Sequence, residues 1–251
     1  MKHVIVFNQI DTTYHGGMNY ENEQLFNYFK AQIDWSIHLG WKKEDIIIGT
    51  NFDFEYNGVK NHHLTDVCTY SGYNNFWYGA LELMKNGVLD EDYWLHDQDS
   101  WPARKFSFPN FDGVIGGCEY QENPYWNCST VYFKKTSQFL LEYIVYFMKE
   151  YPNVPISSDE EWINFFRFSP QSEARDYFSS INTRYNCGFT HFDLRYENAI
   201  KPINVYGFKP DLERDYSVFK DYLSDDMVNI FKKHRLLSVS YTHLTLPTTS
   251  S

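Results

Sequence analysis

Cysteine, long apolar segments and positive charge are all scarce in this sequence. Its four cysteines stand far apart and form no CxxC pair, so we expect reduced thiols rather than a disulfide framework or a zinc site. The longest apolar stretch, residues 139–148, contains Glu142 and is too short to cross a bilayer. Acidic residues number 33 and basic residues 22, a formal net charge of −11. This balance argues against nucleic acid and anionic membranes as partners.

Several common sequence signatures are also missing. There is no GxGxxG or GxxxxGK[ST] pattern, no internal repeat and no Gly/Ser linker. The short apolar run at residues 4–7 stops at Asn8 without a cleavage site, so we expect no secretory signal and a cytoplasmic location. A chain of 251 residues with 43% hydrophobic residues is long enough to bury a large core, and it is typical of a soluble globular protein.

The last residues differ from the rest of the chain. Residues 239–251 are rich in threonine and serine, and they resemble the in-frame translation of a sequencing adapter. We therefore expect residues 239–251 to be a non-native tail, with the natural chain breaking off near Ser238.

The first half alternates apolar runs with amphipathic segments. Strands are predicted at residues 3–7, 45–49 and 93–95, and helices at residues 21–39 and 74–86. Because the runs are apolar throughout, each strand is predicted to be covered on both faces. Strands alternating with helices predict βαβ units and a mainly parallel sheet.

Beyond Asp99 the pattern becomes α+β. Strands are predicted at residues 112–118 and 129–133, followed by an amphipathic helix. Its apolar stripe is predicted to pack on the sheet as core, and the stripe comprises Phe139, Leu140, Tyr143, Ile144, Phe147, Met148 and Tyr151.

Asp97 and Asp99 stand out chemically, since they directly follow the strand at residues 93–95. Open α/β sheets bind ligands at the carboxyl ends of their strands. Two carboxylates on the same side of an extended chain repel each other unless a hard cation lies between them, and Mg²⁺ or Mn²⁺ with diphosphate oxygens is the natural guest. The alternative is a polar turn in which the aspartates accept bonds from local backbone N–H groups.

The order of these motifs resembles the glycosyltransferase A-type fold of nucleotide-diphospho-sugar transferases. Four segments carry the resemblance, namely residues 4–8, 93–99, 127–133 and 158–164. It implies one Rossmann-like α/β domain over residues 1–238, with a mainly parallel central sheet flanked by helices. Residues 1–99 would form the nucleotide-sugar-binding half and residues 100–238 an α+β acceptor half.

The resemblance also implies an activity. It is the metal-dependent transfer of a sugar from a nucleotide-diphosphate sugar to a carbohydrate or another hydroxyl-bearing acceptor. A cation such as Mn²⁺ or Mg²⁺ would stabilise the leaving diphosphate as a Lewis acid.

The resemblance implies particular site residues as well. Asp97 and Asp99 would hold the metal, and His191 is the candidate for a third ligand. Lys209 lies in a Gly-Phe-Lys-Pro segment that resembles the phosphate-binding ending of some members, although the spacing is shorter and the usual histidine before Gly207 is missing. Asp97 and Lys209 would therefore contact the donor phosphates.

The remaining predicted residues divide between donor and acceptor. The first two strands would supply base and ribose contacts from Asn8, Gln9, Thr50 and Asn51, for which the alternative is ordinary turn chemistry. Asp159 and Glu160 are the candidates for a catalytic base. The same segment also reads as a helix start, with Ser158 as the cap and Glu161 as its capping-box partner.

Two alternatives remain open at this point. One is a nucleotidyltransferase on a related fold. The other is a non-catalytic carbohydrate- or protein-binding module, in which Asp97 and Asp99 are turn residues and the aromatic side chains, 20% of the chain, form a binding face.

Overall fold

A computed structural model of the chain describes residues 1–10, 22–120, 123–154, 156, 158–170, 172–188, 202–210 and 223–237. Its centre is an eight-stranded sheet with the order β3-β4-β2-β1-β5-β8-β7-β9. The strands are β1 (Lys2–Phe7), β2 (Ile46–Thr50), β3 (Glu55–Tyr56), β4 (Val59–His63), β5 (Tyr93–His96), β7 (Ile115–Tyr120), β8 (Asn123–Phe133) and β9 (Phe178–Ser180). A two-stranded sheet is formed by β6 (Trp101–Pro102) and β10 (Asn204–Val205).

The first half of the sheet is parallel, as the continuous apolar strands predicted. Strand β1 pairs in parallel with β2 and with β5, and β2 pairs in parallel with β4. Side chains of β1 alternate between two core clusters, Val4 and Val6 facing one and Ile5 the other. The carboxyl ends of β1, β2 and β5 therefore meet at one edge of the sheet.

The second half reverses direction. Strand β8 is antiparallel to both β5 and β7, whereas β9 is parallel to β7. Strand β8 is also longer than its partner β5, whose pairing ends at Thr130, so residues 123–129 extend past the carboxyl end of β5. The predicted mainly parallel α/β sheet with an α+β second half is confirmed.

Five α-helices flank the sheet in the described part of the chain. They are α1 (Asn22–His38), α2 (Asn75–Lys85), α3 (Gln138–Glu150), α4 (Asp159–Phe168) and α5 (Asp225–Lys233). Helix α1 packs on one face through Leu25, Phe29 and Ile33, and α2, α3 and α4 share the core cluster on the other face. Helix α5 joins α1 and residues 205–208 in a smaller cluster.

The predicted core stripe of α3 is wrong in part. Phe139, Tyr143 and Tyr151 are 47%, 36% and 49% exposed, while Leu141 and Val145 are buried in their place. The buried stripe is thus rotated by one residue from the predicted one. The physical reason is that the purely apolar Leu141 and Val145 gain most from burial in the core cluster that α3 shares with α2 and α4, while two tyrosines can keep their hydroxyl groups in water.

Two expectations about the rest of the chain can be compared with the structure. All four cysteines are free and buried, as expected for reduced thiols. None of the helices in the described ranges is long and apolar enough to cross a lipid bilayer. Residues 239–251, the predicted non-native tail, lie outside the described residues.

Candidate active site

The turn that follows β5 carries Asp97 and Asp99 at the shared carboxyl edge of the sheet. The backbone N–H of Asp97 donates to the carbonyl of Ser129 at 3.0 Å, and the N–H of Ser100 donates to the carbonyl of Asp97 at 3.0 Å. The Ser100 hydroxyl also donates to the Ser129 carbonyl, at 2.9 Å. These bonds hold the turn against the long strand β8. The backbone of both aspartates is therefore fixed in position.

Gln32, on α1, clamps the same turn from the other side. Its side-chain Nε2 donates to the carbonyl of Gln98 at 2.9 Å and to the carbonyl of Ser100 at 2.7 Å. The side chain is fully buried. One amide group thus satisfies the two carbonyls that flank Asp99, and it holds the turn in a single conformation.

A buried histidine pair lies beneath the turn. His3 contacts His96 through their Nε2 atoms, and His96 Nδ1 lies 2.6 Å from the carbonyl of Asp97. Burial lowers the pKa of His96 to about 3, and burial with repulsion from His96 lowers the pKa of His3 well below its ordinary value. Both rings are therefore neutral near pH 7. They act as hydrogen-bonding supports, stacked on Trp94, rather than as charges.

The segment around β10 closes the carboxyl side of the turn. The N–H of Phe208 donates to the carbonyl of Asp99 at 3.0 Å, and the indole N–H of Trp101 donates to the carbonyl of Phe208 at 2.9 Å. Gly207 has a φ of +64°, a conformation that side chains other than glycine rarely adopt. Lys209, the predicted phosphate contact, is the residue after Phe208, so its backbone lies beside the turn that carries Asp99.

Helix α4 begins at the site with the predicted capping box. The Ser158 hydroxyl accepts from the N–H of Glu161 at 3.1 Å, and a Glu161 carboxylate oxygen accepts from the N–H of Ser158 at 3.2 Å. This cap orients the first turn, in which Asp159 is buried and Glu160 partly buried.

Glu160 is held by three neighbours from β7 and β8. Its Oε1 accepts from the Tyr120 hydroxyl at 2.9 Å, from Asn127 Nδ2 at 2.5 Å and from the N–H of Cys128 at 3.3 Å. Asn127 is itself held by Asn186, whose Nδ2 donates to Asn127 Oδ1 at 3.1 Å. A carboxylate with this many donors is a fixed structural element, and it ties α4 to the projecting end of β8.

Four acidic side chains, Asp97, Asp99, Asp159 and Glu160, lie close enough at this edge of the sheet for their charges to interact. Burial, with repulsion from Asp99 and Asp159, raises the pKa of Asp97 well above its ordinary value. Burial and the charge of Glu160 raise the pKa of Asp159 to about 7. Burial and the charges of Asp159 and Asp97 also raise the pKa of the half-exposed Tyr73 phenol, at the N-terminal side of α2. The acidic side chains of the site therefore repel one another, and Tyr73 lies near enough to be affected by two of them.

Three of these carboxylates have no basic partner among the described residues. Asp97, Asp159 and Glu160 form no ion pair with a described lysine, arginine or histidine. The described residues also contain no group of three or more His, Cys, Asp or Glu side chains arranged to hold a metal ion. His191, the predicted third ligand, lies outside the described residues.

The predicted donor residues lie at the ends of β1 and β2. Asn51 pairs with the backbone of Gln9, accepting from its N–H at 2.8 Å and donating to its carbonyl at 2.7 Å. The hydroxyl of Thr50 is fully buried and donates to the carbonyl of Phe52 at 2.6 Å. These side chains serve local turns in this structure. Asn8 differs, because its buried Oδ1 has no hydrogen-bond partner among the described residues.

Sequence reasoning missed several side chains that build the site. Gln32, Tyr120, Asn186 and Tyr73 reach it from four different parts of the chain. Asn127 lies in residues 127–133, one of the segments that carry the resemblance, but the sequence does not mark its contact with Glu160. Nothing local in the sequence marks these residues, because each contributes through a contact with a distant segment.

Comparisons with known proteins agree on the fold. The galactosyltransferase LgtC, solved with donor and acceptor sugar analogues, superposes with a TM-score of 0.53 over 94% of this chain and 96% of its own, at 11% identity. The glycosyltransferase GlyE of Streptococcus pneumoniae TIGR4 gives 0.54 over 94% of this chain and 64% of its own, at 11% identity. A glycosyltransferase involved in glycosylation of the major capsid of PBCV-1 gives 0.51 over 87% and 99%, at 9% identity.

Sequence comparisons add no family. No protein-family model matches the chain, and no curated protein matches it. At 9–11% identity the structural likeness defines the fold class alone. The chain has the architecture found in these glycosyltransferases.

Proposed function

We propose that this protein is a metal-dependent glycosyltransferase that moves a sugar from a nucleotide-diphosphate sugar to a hydroxyl group of an acceptor. The observation that carries the proposal is the meeting of Asp97, Asp99, Asp159 and Glu160 at the carboxyl edge of the parallel strands. That edge is where open α/β sheets bind their ligands. The fold shared with known glycosyltransferases supports the same reading.

The donor set fits a hard divalent cation. Asp97 and Asp99 offer carboxylate oxygens, the ligands that Mn²⁺ and Mg²⁺ prefer. Mg²⁺ is usually held by one or two protein carboxylates with substrate phosphates and water completing its shell, so these two suffice when a diphosphate is present. When bound there, such a cation would supply Lewis-acid stabilisation of the charge that develops on the leaving diphosphate.

Asp159 and Glu160 suit different roles. Glu160 accepts three hydrogen bonds and is fixed, so it is suited to positioning α4 and strand β8. Asp159 is buried, and no described side chain bonds to its carboxylate. Its pKa near 7 is favourable for taking a proton from an acceptor hydroxyl near neutral pH. We therefore assign the catalytic base to Asp159.

The nucleotide-sugar donor would be bound by residues at the ends of β1 and β2. The Oδ1 of Asn8, to which no described residue donates, would accept a hydrogen bond from a nucleotide, because a buried polar atom gains most from a partner. Gln9 and Asn51 would contribute through the turn they stabilise together. Lys209, next to the turn that carries Asp99, would offset phosphate charge.

Donor hydrolysis tests this function without knowledge of the acceptor. The full chain is incubated with UDP-, GDP-, CDP- and TDP-sugars in Mn²⁺ or in EDTA, and the release of nucleotide diphosphate is measured. We expect slow, Mn²⁺-dependent release from one donor class and its loss in Asp97→Asn. Asp90→Asn, an exposed aspartate before β5, is the control and should behave like the wild type. Absence of metal-dependent release from every donor would favour a binding module instead.

A further inference from the structure

The backbone of Phe208 is bonded at both of its polar groups to the segment that carries Asp99. Its N–H donates to the carbonyl of Asp99 at 3.0 Å, and its carbonyl accepts from the indole N–H of Trp101 at 2.9 Å. The carbonyl of Phe208 lies in the same planar peptide unit as the nitrogen of Lys209. The Trp101 bond therefore sets the direction in which the backbone enters Lys209.

The residue before Phe208 makes this support necessary. Gly207 has a φ of +64°, and a glycine loses more conformational freedom on folding than any other residue. Strand β10 ends at Val205, which pairs with Trp101, so the strand stops before the glycine. The bonds from Phe208 to Asp99 and Trp101 fix the backbone on the other side of it.

Helix α5 holds the Trp101 indole in place. The ring of Phe231 meets Trp101 edge to face with centroids 4.7 Å apart, and it meets Phe208 at 5.8 Å. All three side chains are buried. Helix α1 contacts the indole as well, through Tyr28, whose ring centroid lies 6.0 Å from that of Trp101. The indole is thus packed between two helices.

Asp34 in turn fastens helix α5 to α1. Its Oδ2 accepts from Lys233 Nζ at 2.6 Å and lies 2.8 Å from His234 Nε2, both at the carboxyl end of α5. Gln32, two residues earlier in α1, is the side chain that clamps the turn carrying Asp99. Helix α1 therefore supports that turn directly and also supports, through α5, the indole of Trp101.

We propose that Trp101 is a positioning residue for the diphosphate of the nucleotide sugar, because it holds the backbone of Lys209 against the Asp99 turn while helix α5 fixes its indole. The diphosphate in this statement rests on the proposed function, whereas the coupling between the two segments does not. Trp101 acts through the backbone of Phe208, and we assign it no contact with the ligand. Displacing a binding group by about 1 Å can cost about a hundredfold in rate, so a buried bond of this kind affects the site from a distance.

The test compares variants of the full chain. Trp101→Phe removes the indole N–H and keeps a buried aromatic ring. We expect it to weaken nucleoside-diphosphate binding in Mn²⁺ by about tenfold or more, as measured by calorimetry with UDP, GDP, CDP and TDP. We also expect faster amide hydrogen exchange in a peptide covering residues 203–210, measured in EDTA without nucleotide. Phe231→Leu should change both quantities in the same direction, and it supplies them if Trp101→Phe does not fold.

Trp35→Phe is the matched control. Trp35 is buried in the same cluster as Trp101, and its indole N–H also donates to a backbone carbonyl, that of Pro102, at 2.6 Å. Loss of this bond should lower the unfolding midpoint by a similar amount. Nucleotide affinity and exchange at residues 203–210 should stay at their wild-type values, because the bond does not involve Phe208.

The outcomes separate this proposal from the proposed function. Wild-type exchange at residues 203–210 in Trp101→Phe overturns the proposal, and so does faster exchange with unchanged nucleotide affinity. An equal loss of affinity in Trp35→Phe and Trp101→Phe also overturns it, because both residues would then serve the fold alone. Faster exchange in Trp101→Phe but not in Trp35→Phe, in a protein whose wild type binds no nucleotide, supports the coupling while the glycosyltransferase function fails.

Discussion

The buried carboxylate of Asp159 should make the folded protein less stable above neutral pH. Burial and the charge of Glu160 raise its pKa to about 7, from an ordinary value of 3.8. A group with a raised folded-state pKa binds more protons in the folded than in the unfolded state between these two values. Asp159 therefore lowers the free energy of unfolding as the pH rises from about 4 to 7. The loss is complete once the pH exceeds the pKa of the folded state. Asp159→Asn removes this titration and should stabilise the protein.

The size of the effect follows from the shift. Each unit of pKa corresponds to 1.36 kcal/mol, so a shift of about three units gives an upper bound of roughly 4 kcal/mol at pH 8. At pH 5 the folded wild type is still largely protonated. The advantage of Asp159→Asn over the wild type should therefore be about 2–3 kcal/mol smaller at pH 5 than at pH 8.

Urea unfolding in EDTA, followed by tryptophan fluorescence at pH 5, 6, 7 and 8, measures this difference. Asp90→Asn, exposed before β5, should stay within about 0.5 kcal/mol of the wild type at every pH. An advantage of Asp159→Asn that does not change with pH, or a variant less stable than the wild type at pH 8, would refute the reasoning.

Two further predictions concern residues that shape the site. Gln32→Leu leaves the buried carbonyls of Gln98 and Ser100 unpaired, so we expect a loss of about 1–3 kcal/mol in unfolding free energy and a weakening of Mn²⁺ binding by about 10–100-fold. Asn61→Leu is the control, because the Asn61 amide likewise donates two bonds, to the Thr50 hydroxyl at the end of β2 and to the carbonyl of Phe52. Equal Mn²⁺ affinities in the two variants would contradict the role of Gln32 as a clamp. Gly117→Ala places a methyl group against the indole of Trp126, which anchors the start of β8. Overpacking of this kind costs about 1–3 kcal/mol, measurable as a lower urea midpoint, and an unchanged midpoint would show that the indole moves freely.

Much of the first half could be predicted because its signals are local. The strands β1, β2 and β5 are uninterrupted apolar runs, which only a sheet covered on both faces can bury. The cap at Ser158 also depends only on residues within one turn of it. By contrast, β9 and β10 are two or three residues long, too short to show any periodicity. Helix α5, which is absent from the predicted elements, has the local signals of a helix, with Ser224 as its cap and lysines in its last turn.

The candidate site shows the same division between local and distant signals. Asp97 and Asp99 could be placed because they follow a strand directly. Gln32 could not, since it lies 66 residues from Gln98 in sequence and sits in a helix whose pattern predicts only an apolar face. The fixed state of Glu160 likewise depends on Tyr120, which is 40 residues away. Such contacts between distant residues form only in the folded chain, so the spacing of residues in the sequence does not predict them.

Nucleotide binding is the sharpest test of the proposed function, because the proposed site must bind a diphosphate through a metal. Thermal unfolding of the full chain is measured with UDP, GDP, CDP, TDP and CMP, each with Mn²⁺ or EDTA. At a hundred times its dissociation constant, a bound nucleotide stabilises by about 2.7 kcal/mol and raises the midpoint by roughly 5–10 °C. We expect such a rise for one nucleotide diphosphate, with Mn²⁺ but not with EDTA, and its loss in Asp99→Ala. A well-folded protein whose midpoint no nucleotide changes, or whose rise persists in EDTA, would contradict it.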